Sequence, residues 1–105
     1  MTPIGASGVQ LTKDYILSFA TDADGQLFLH ADEKGLDLLI RRLTRLKEKV
    51  SSGDCEHEHL FTDEWQGDGD LTSKTIEGKI IHHVTVYAWT AEWVTKHGLA
   101  DLRDA

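Results

Sequence analysis

The 105-residue chain contains one cysteine, one proline and one methionine. A single thiol, Cys55, excludes an internal disulfide and a four-cysteine zinc site. No apolar run approaches the roughly 20 residues that a membrane-spanning helix requires. The start, Met1-Thr2-Pro3-Ile4, shows neither a basic leader nor an apolar stretch, so a cytoplasmic location is expected. There is no phosphate-binding Walker loop, dinucleotide fingerprint, nucleophile elbow or His-Glu-x-x-His pair, and no enzymatic activity is expected. Internal repeats and low-complexity linkers are lacking too. Hydrophobic residues make up 40% and charged residues 28%, which suits one globular domain spanning residues 1–105.

Basic residues are scarce where acidic ones are dense. The net charge is -7, from 18 Asp and Glu against 11 Lys and Arg. Between residues 54 and 70 lie seven acids (Asp54, Glu56, Glu58, Asp63, Glu64, Asp68, Asp70) and no Lys or Arg. Between residues 31 and 50 the balance reverses, with Lys34, Arg41, Arg42, Arg45, Lys47 and Lys49 against four acids. An acidic chain of this kind should repel nucleic acid and attract basic protein surfaces. The plainer reading is a solvated acidic loop opposite a solvated basic helix face.

Val9 to Ala20 and Gln26 to His30 carry strand patterns, and Asp24-Gly25 between them predicts a tight antiparallel hairpin. Asp22-x-Asp24 with Glu33 superficially resembles a calcium loop, but Leu27 stands where that loop needs glycine. Asp32 can cap a helix whose apolar stripe is Leu36, Leu39, Ile40, Leu43, Leu46 and Val50, ended by Ser51-Ser52-Gly53. Cys55 to Thr62 reads as a strand, followed by a Gly- and Asp-rich loop through Asp70. Lys79 to Trp89 predicts a central strand with Ile80, Val84, Val86 and Ala88 on one face and Ile81, Thr85, Tyr87 and Trp89 on the other. Residues 90–105 predict a short helical segment with a frayed tail. These elements imply an α+β fold in two layers: an antiparallel sheet of four or five strands, one long amphipathic helix packed on one face, and a short C-terminal helical segment.

On a strand, Cys55, His57 and His59 point to one side, with Phe61 next. One thiolate and two imidazoles are acceptable zinc donors, and His82 or His83 could complete the set. The paired spacings of structural zinc sites are missing, so the alternative is that these histidines hydrogen-bond to nearby groups.

Three segments carry a family resemblance. They are Glu33-Lys-Gly-Leu-Asp-Leu-Leu-Ile-Arg-Arg-Leu-Thr-Arg-Leu-Lys47, His57-Glu-His-Leu-Phe-Thr-Asp-Glu-Trp-Gln-Gly-Asp-Gly-Asp-Leu71 and Lys79-Ile-Ile-His-His-Val-Thr-Val-Tyr87. In order and spacing they resemble the immunity protein 32 family, small bacterial proteins that neutralise a toxin encoded beside them in polymorphic toxin systems. The likeness is strongest over residues 27–89, and Gln66 stands where the family pattern has glycine. It implies an α+β fold, no catalytic residues, no cofactor, and a cognate protein toxin as partner. Toxins of such systems are often nucleases with basic clefts, which an acidic loop can occupy in place of phosphates.

On that reading Asp63, Glu64, Asp68 and Asp70 steer the encounter and Trp65 anchors it; alternatively Trp65 plugs its own core. Cys55, His57, His59, His82 and His83 then brace the loop or, on the competing reading, hold a metal in a small metal-binding protein or enzyme. A third possibility is a homo-oligomeric module pairing through Ile81, Tyr87 and Trp89. Nucleic acid and membrane are not expected as partners, and the state expected is a monomer or homodimer.

Overall fold

The structure, a computed structural model, describes residues 13–104. Their order is β1 (Leu17–Thr21), β2 (Leu27–Ala31), α1 (Glu33–Ser51), β3 (Cys55–Phe61), β4 (Lys79–Ile80), β5 (His83–Trp89) and α2 (Ala91–Lys96), followed by a 3-10 turn at Ala100–Arg103. The fold is α+β with antiparallel sheets and one long helix. No described helix is long and apolar enough to cross a membrane.

β1 and β2 pair antiparallel from Leu17↔Ala31 to Thr21↔Leu27. The connection is wider than a two-residue turn. Asp22 Oδ1 accepts from Asp24 N–H and Gln26 N–H, each at 2.9 Å, and Gly25 takes a left-handed φ of 85°. The Asp22 carboxylate therefore closes the loop rather than holding a cation. Of the expected Val9–Ala20 strand, Val9 to Thr12 lie outside the described residues, and regular pairing begins only at Leu17.

Two expectations need correction. The strands form two sheets rather than one, in the orders β2-β1-β4 and β3-β5. The segment Lys79–Trp89 is also not one central strand. Its first part pairs with β1, and its second pairs with β3 from Phe61↔His83 to Cys55↔Trp89. The change of partner occurs at Ile81 and His82, where Ile81 N–H donates to Phe19 O at 2.8 Å and His82 O accepts from Thr62 N–H at 2.9 Å. A chain that bonds in turn to two neighbours must bend between them, although no Gly or Pro marks the place.

Asp32 caps α1 by accepting from Gly35 N–H at 2.9 Å, and the same oxygen accepts from Ile16 N–H at 3.0 Å. Those two backbone donors hold its carboxyl below the usual aspartate range. One side chain thus fastens the helix start to the approach of β1.

The core is Leu17, Leu39, Leu60 and Leu71, surrounded by Tyr15, Phe19, Leu38, Val84 and Val86. It draws on the helix, both sheets and the loop before β4. Each fully buried leucine contributes about 2 kcal/mol.

The helix is turned differently from its apolar stripe. Leu39, Leu46 and Val50 are buried with Gly35, whereas Leu36, Ile40 and Leu43 stay largely exposed. Arg42, midway along the buried stripe, places its guanidinium 3.1 Å from Glu58 and 2.6 Å from Asp70. Arg45 and Lys49 reach the same Glu58 carboxylate at 2.9 and 3.0 Å. These three basic residues, expected to face solvent, are turned onto the acidic stretch of their own chain.

Candidate protein-binding face

Because side chains alternate along a strand, the β3–β5 ladder divides its residues cleanly. Glu58 and Leu60 lie on the side of α1 with Val84 and Val86. The outer side carries Cys55 opposite Trp89, His57 opposite Tyr87, His59 opposite Thr85 and Phe61 opposite His83. Tyr87 is 60% exposed and Trp89 37% exposed.

The rings on this outer side form a belt. At one end Trp65 stacks on His83 with centroids 4.1 Å apart and lies 5.6 Å from Phe61. His83 stacks on His59 at 5.0 Å, His59 meets His57 edge-on at 4.9 Å, and His57 lies 5.5 Å from Tyr87. At the other end Trp89 stacks on Trp93 at 5.1 Å, and Trp93 on His97 at 4.1 Å. α2 places Trp93 there because Thr90 caps the helix by accepting from Trp93 N–H at 3.1 Å.

The expected histidine grouping is realised in part. His59 Nδ1 and His83 Nε2 are 2.8 Å apart, with Thr85 Oγ1 at 3.3 and 3.4 Å from the two nitrogens. One ring donates and the other accepts, which fixes both rings in the belt. His82 departs from the group, pairing instead with Thr62 Oγ1 at 2.7 Å. Cys55 is exposed at the far end of its strand. Among the described residues no three His, Cys, Asp or Glu side chains converge as metal donors, so the Cys55, His57, His59 set is not assembled as a coordination site.

The loop from Thr62 to Leu71 is tightly constructed. Thr62 and Leu71 are both buried and form a parallel bridge. Trp65 N–H and Gln66 N–H both donate to Thr62 O at 3.1 Å. Asp63 accepts from Gly69 N–H at 2.8 Å and pairs with Lys13 at 2.9 Å; the lysine foremost holds its carboxyl below the usual range. Tyr15 Oη donates to Asp70 O at 2.8 Å. A Cβ on Gly69 would sit 1.9 Å from Phe61 O, and Asp68 takes a φ of 64°.

Four of the five residues expected to bind a partner are therefore divided two and two. Asp63 and Asp70 are engaged in holding the loop, which removes them as freely offered charges. Glu64 and Asp68 are exposed and form no ion pair among the described residues. The fifth, Trp65, is 51% exposed; it is not a plug in the core but a ring laid on the belt. The sequence reading missed the buried Glu58, whose place between three basic side chains was foreshadowed only by the charge reversal between residues 31–50 and 54–70. It also left Trp93 and His97 out of the candidate surface.

Comparison with family models, with curated proteins and with solved structures finds no match for this chain.

Proposed function

We propose that this chain is a non-enzymatic immunity protein, acting in the cytoplasm, that binds and neutralises a cognate bacterial toxin. The observation that carries the reading is the belt of Trp65, His83, His59, His57, Tyr87, Trp89 and Trp93 on one side of the β3–β5 ladder, exposed except at the half-buried His83 and Trp93. Aromatic rings held rigid by stacking offer large contact areas at small entropic cost, and such rings dominate binding hot spots. Glu64 and Asp68 are exposed in the same loop as Trp65, so a basic partner surface would meet carboxylates and an anchoring indole presented by one loop. The family resemblance, which covers this loop and both strands, points the same way. A toxin with a basic cleft fits that charge, and the overall charge of -7 would speed the encounter.

Co-expression with the product of the adjacent gene tests the reading: growth should be restored and the two proteins should purify together. In the complex, Trp65→Ala is expected to weaken affinity about 30-fold, the effect of losing a hot-spot residue worth about 2 kcal/mol. Glu64→Gln combined with Asp68→Asn is expected to slow association several-fold at low salt and leave dissociation nearly unchanged. Stopped-flow kinetics separates the two effects. Asp63 and Asp70 are unsuitable for this comparison, because neutralising them would loosen the loop itself.

A further inference from the structure

The outward edge of β2 is unpaired among the described residues. β2 is an outer strand of its sheet, and hydrogen bonds at its two ends fix which residues face β1. Asp22 N–H donates to Gln26 O at 3.1 Å and Asp32 N–H donates to Ile16 O at 3.2 Å. Antiparallel ladders alternate, so Phe28 and His30 share that direction, and the N–H and C=O groups of Leu27, Leu29 and Ala31 point away from β1. No described residue hydrogen-bonds to them. The side chains of the same three residues lie on the side of the sheet that carries Leu17, the side of α1. All three are exposed, Leu27 at 59% and Leu29 at 44%.

Outer strands of monomeric sheets are usually blunted by a charge, a proline or a bulge. Leu27–Ala31 reads Leu-Phe-Leu-His-Ala and pairs with β1 without interruption, so it has no Asp, Glu, Lys, Arg, proline or bulge. The edge also matches itself. Two copies brought together antiparallel about a two-fold axis at Leu29 place Leu29 opposite Leu29 and Leu27 opposite Ala31. Every outward N–H and C=O of the three residues then has a partner, with none left over. The exposed leucines of both copies come together on one face, at the start of α1, whose Leu36 is exposed as well. We infer that this chain forms a homodimer by pairing β2 with β2 of a second copy. A five-residue edge is well short of the roughly 20–30 residues a side of a standard interface, so the dimer is weak and depends on concentration. The aromatic belt lies on the other sheet, outside this contact, and the inference does not depend on the toxin reading.

Sedimentation equilibrium of the full chain from about 5 to about 500 µM, a range suited to small interfaces, should show a monomer passing to a dimer. Leu29→Lys sets like charges opposite each other at the axis and should weaken the dimer about tenfold. Cross-linking fixes the register. In a Cys55→Ser background, Leu29→Cys carries the only thiol of the chain at the axis, where a Cα separation of about 5.5 Å is within disulfide range. Oxidised glutathione should link two chains there; Phe28→Cys, on the opposite face, should link far less. This second measurement serves if Leu29→Lys does not fold. A monomer at every concentration, a dimer equally strong with Leu29→Lys, or equal linking from residues 28 and 29 would overturn the inference.

Discussion

Gly35→Ala is expected to destabilise the fold by about 3 kcal/mol, lowering the melting temperature on the order of 15 °C. The sign is opposite to the ordinary rule, by which alanine in place of glycine within a helix stabilises by about 1 kcal/mol. A Cβ at this position would lie 1.7 Å from Ile16 O and 2.7 Å from Ile16 C. Both are backbone atoms, held because Ile16 N–H donates to Asp32 Oδ1 and Ile16 O accepts from Asp32 N–H at 3.2 Å. The helix start and the approach to β1 would have to separate, which breaks the cap as well as the packing. Gly67→Ala is the control, since a Cβ there meets nothing within 4 Å. Thermal melts of the two variants should differ widely.

Glu58→Gln is expected to cost about 2 kcal/mol at neutral pH and almost nothing near pH 2. Burial raises the Glu58 carboxyl, but hydrogen bonds and charge from Lys49 and Arg45 outweigh it and bring the group from its ordinary 4.5 down to about 2. A difference of that size corresponds to about 3 kcal/mol. Arg45 and Lys49 are about half exposed, and solvent screening lowers the expected contribution to about 2 kcal/mol. The carboxyl is depressed in the folded state, so its contribution is complete above pH 4.5 and disappears as pH falls through about 2. Urea titrations of both proteins across that interval should converge toward acid. A constant gap at every pH would remove the ion cluster from the account.

The same cluster explains how much of the molecule was legible beforehand. Asp32 as a cap, the extent of α1 and the common side of His57, His59 and Phe61 follow from local rules of capping and alternation, and the structure has all three. The acidic stretch was legible as a stretch, but its use was not. Glu58 and Asp70 are matched by Arg42, Arg45 and Lys49, which depends on how α1 lies on β3 and the loop after it, and Asp63 by Lys13, which depends on where the approach to β1 passes that loop; no spacing within a segment reveals either. Arg42 occupies the buried stripe for the same reason, leaving Leu36, Ile40 and Leu43 outside. The bend at Ile81 and His82 arises from a change of hydrogen-bonding neighbour, and the outward edge of β2 from the β1–β2 register. Of the seven acids in that stretch, Asp54, Glu56, Glu64 and Asp68 form no ion pair among the described residues, and only Glu64 and Asp68 share the loop with Trp65, a less charged surface than composition suggested.

Calorimetric titration of the purified product of the adjacent gene, the proposed toxin, with wild type and with Trp65→Ala tests the central claim most directly. The account predicts one-to-one binding for the wild type, about 30-fold weaker binding for the variant, and for the variant a melting temperature close to that of the wild type. Equal affinities for the two proteins, or no heat of binding with the wild type, would contradict it.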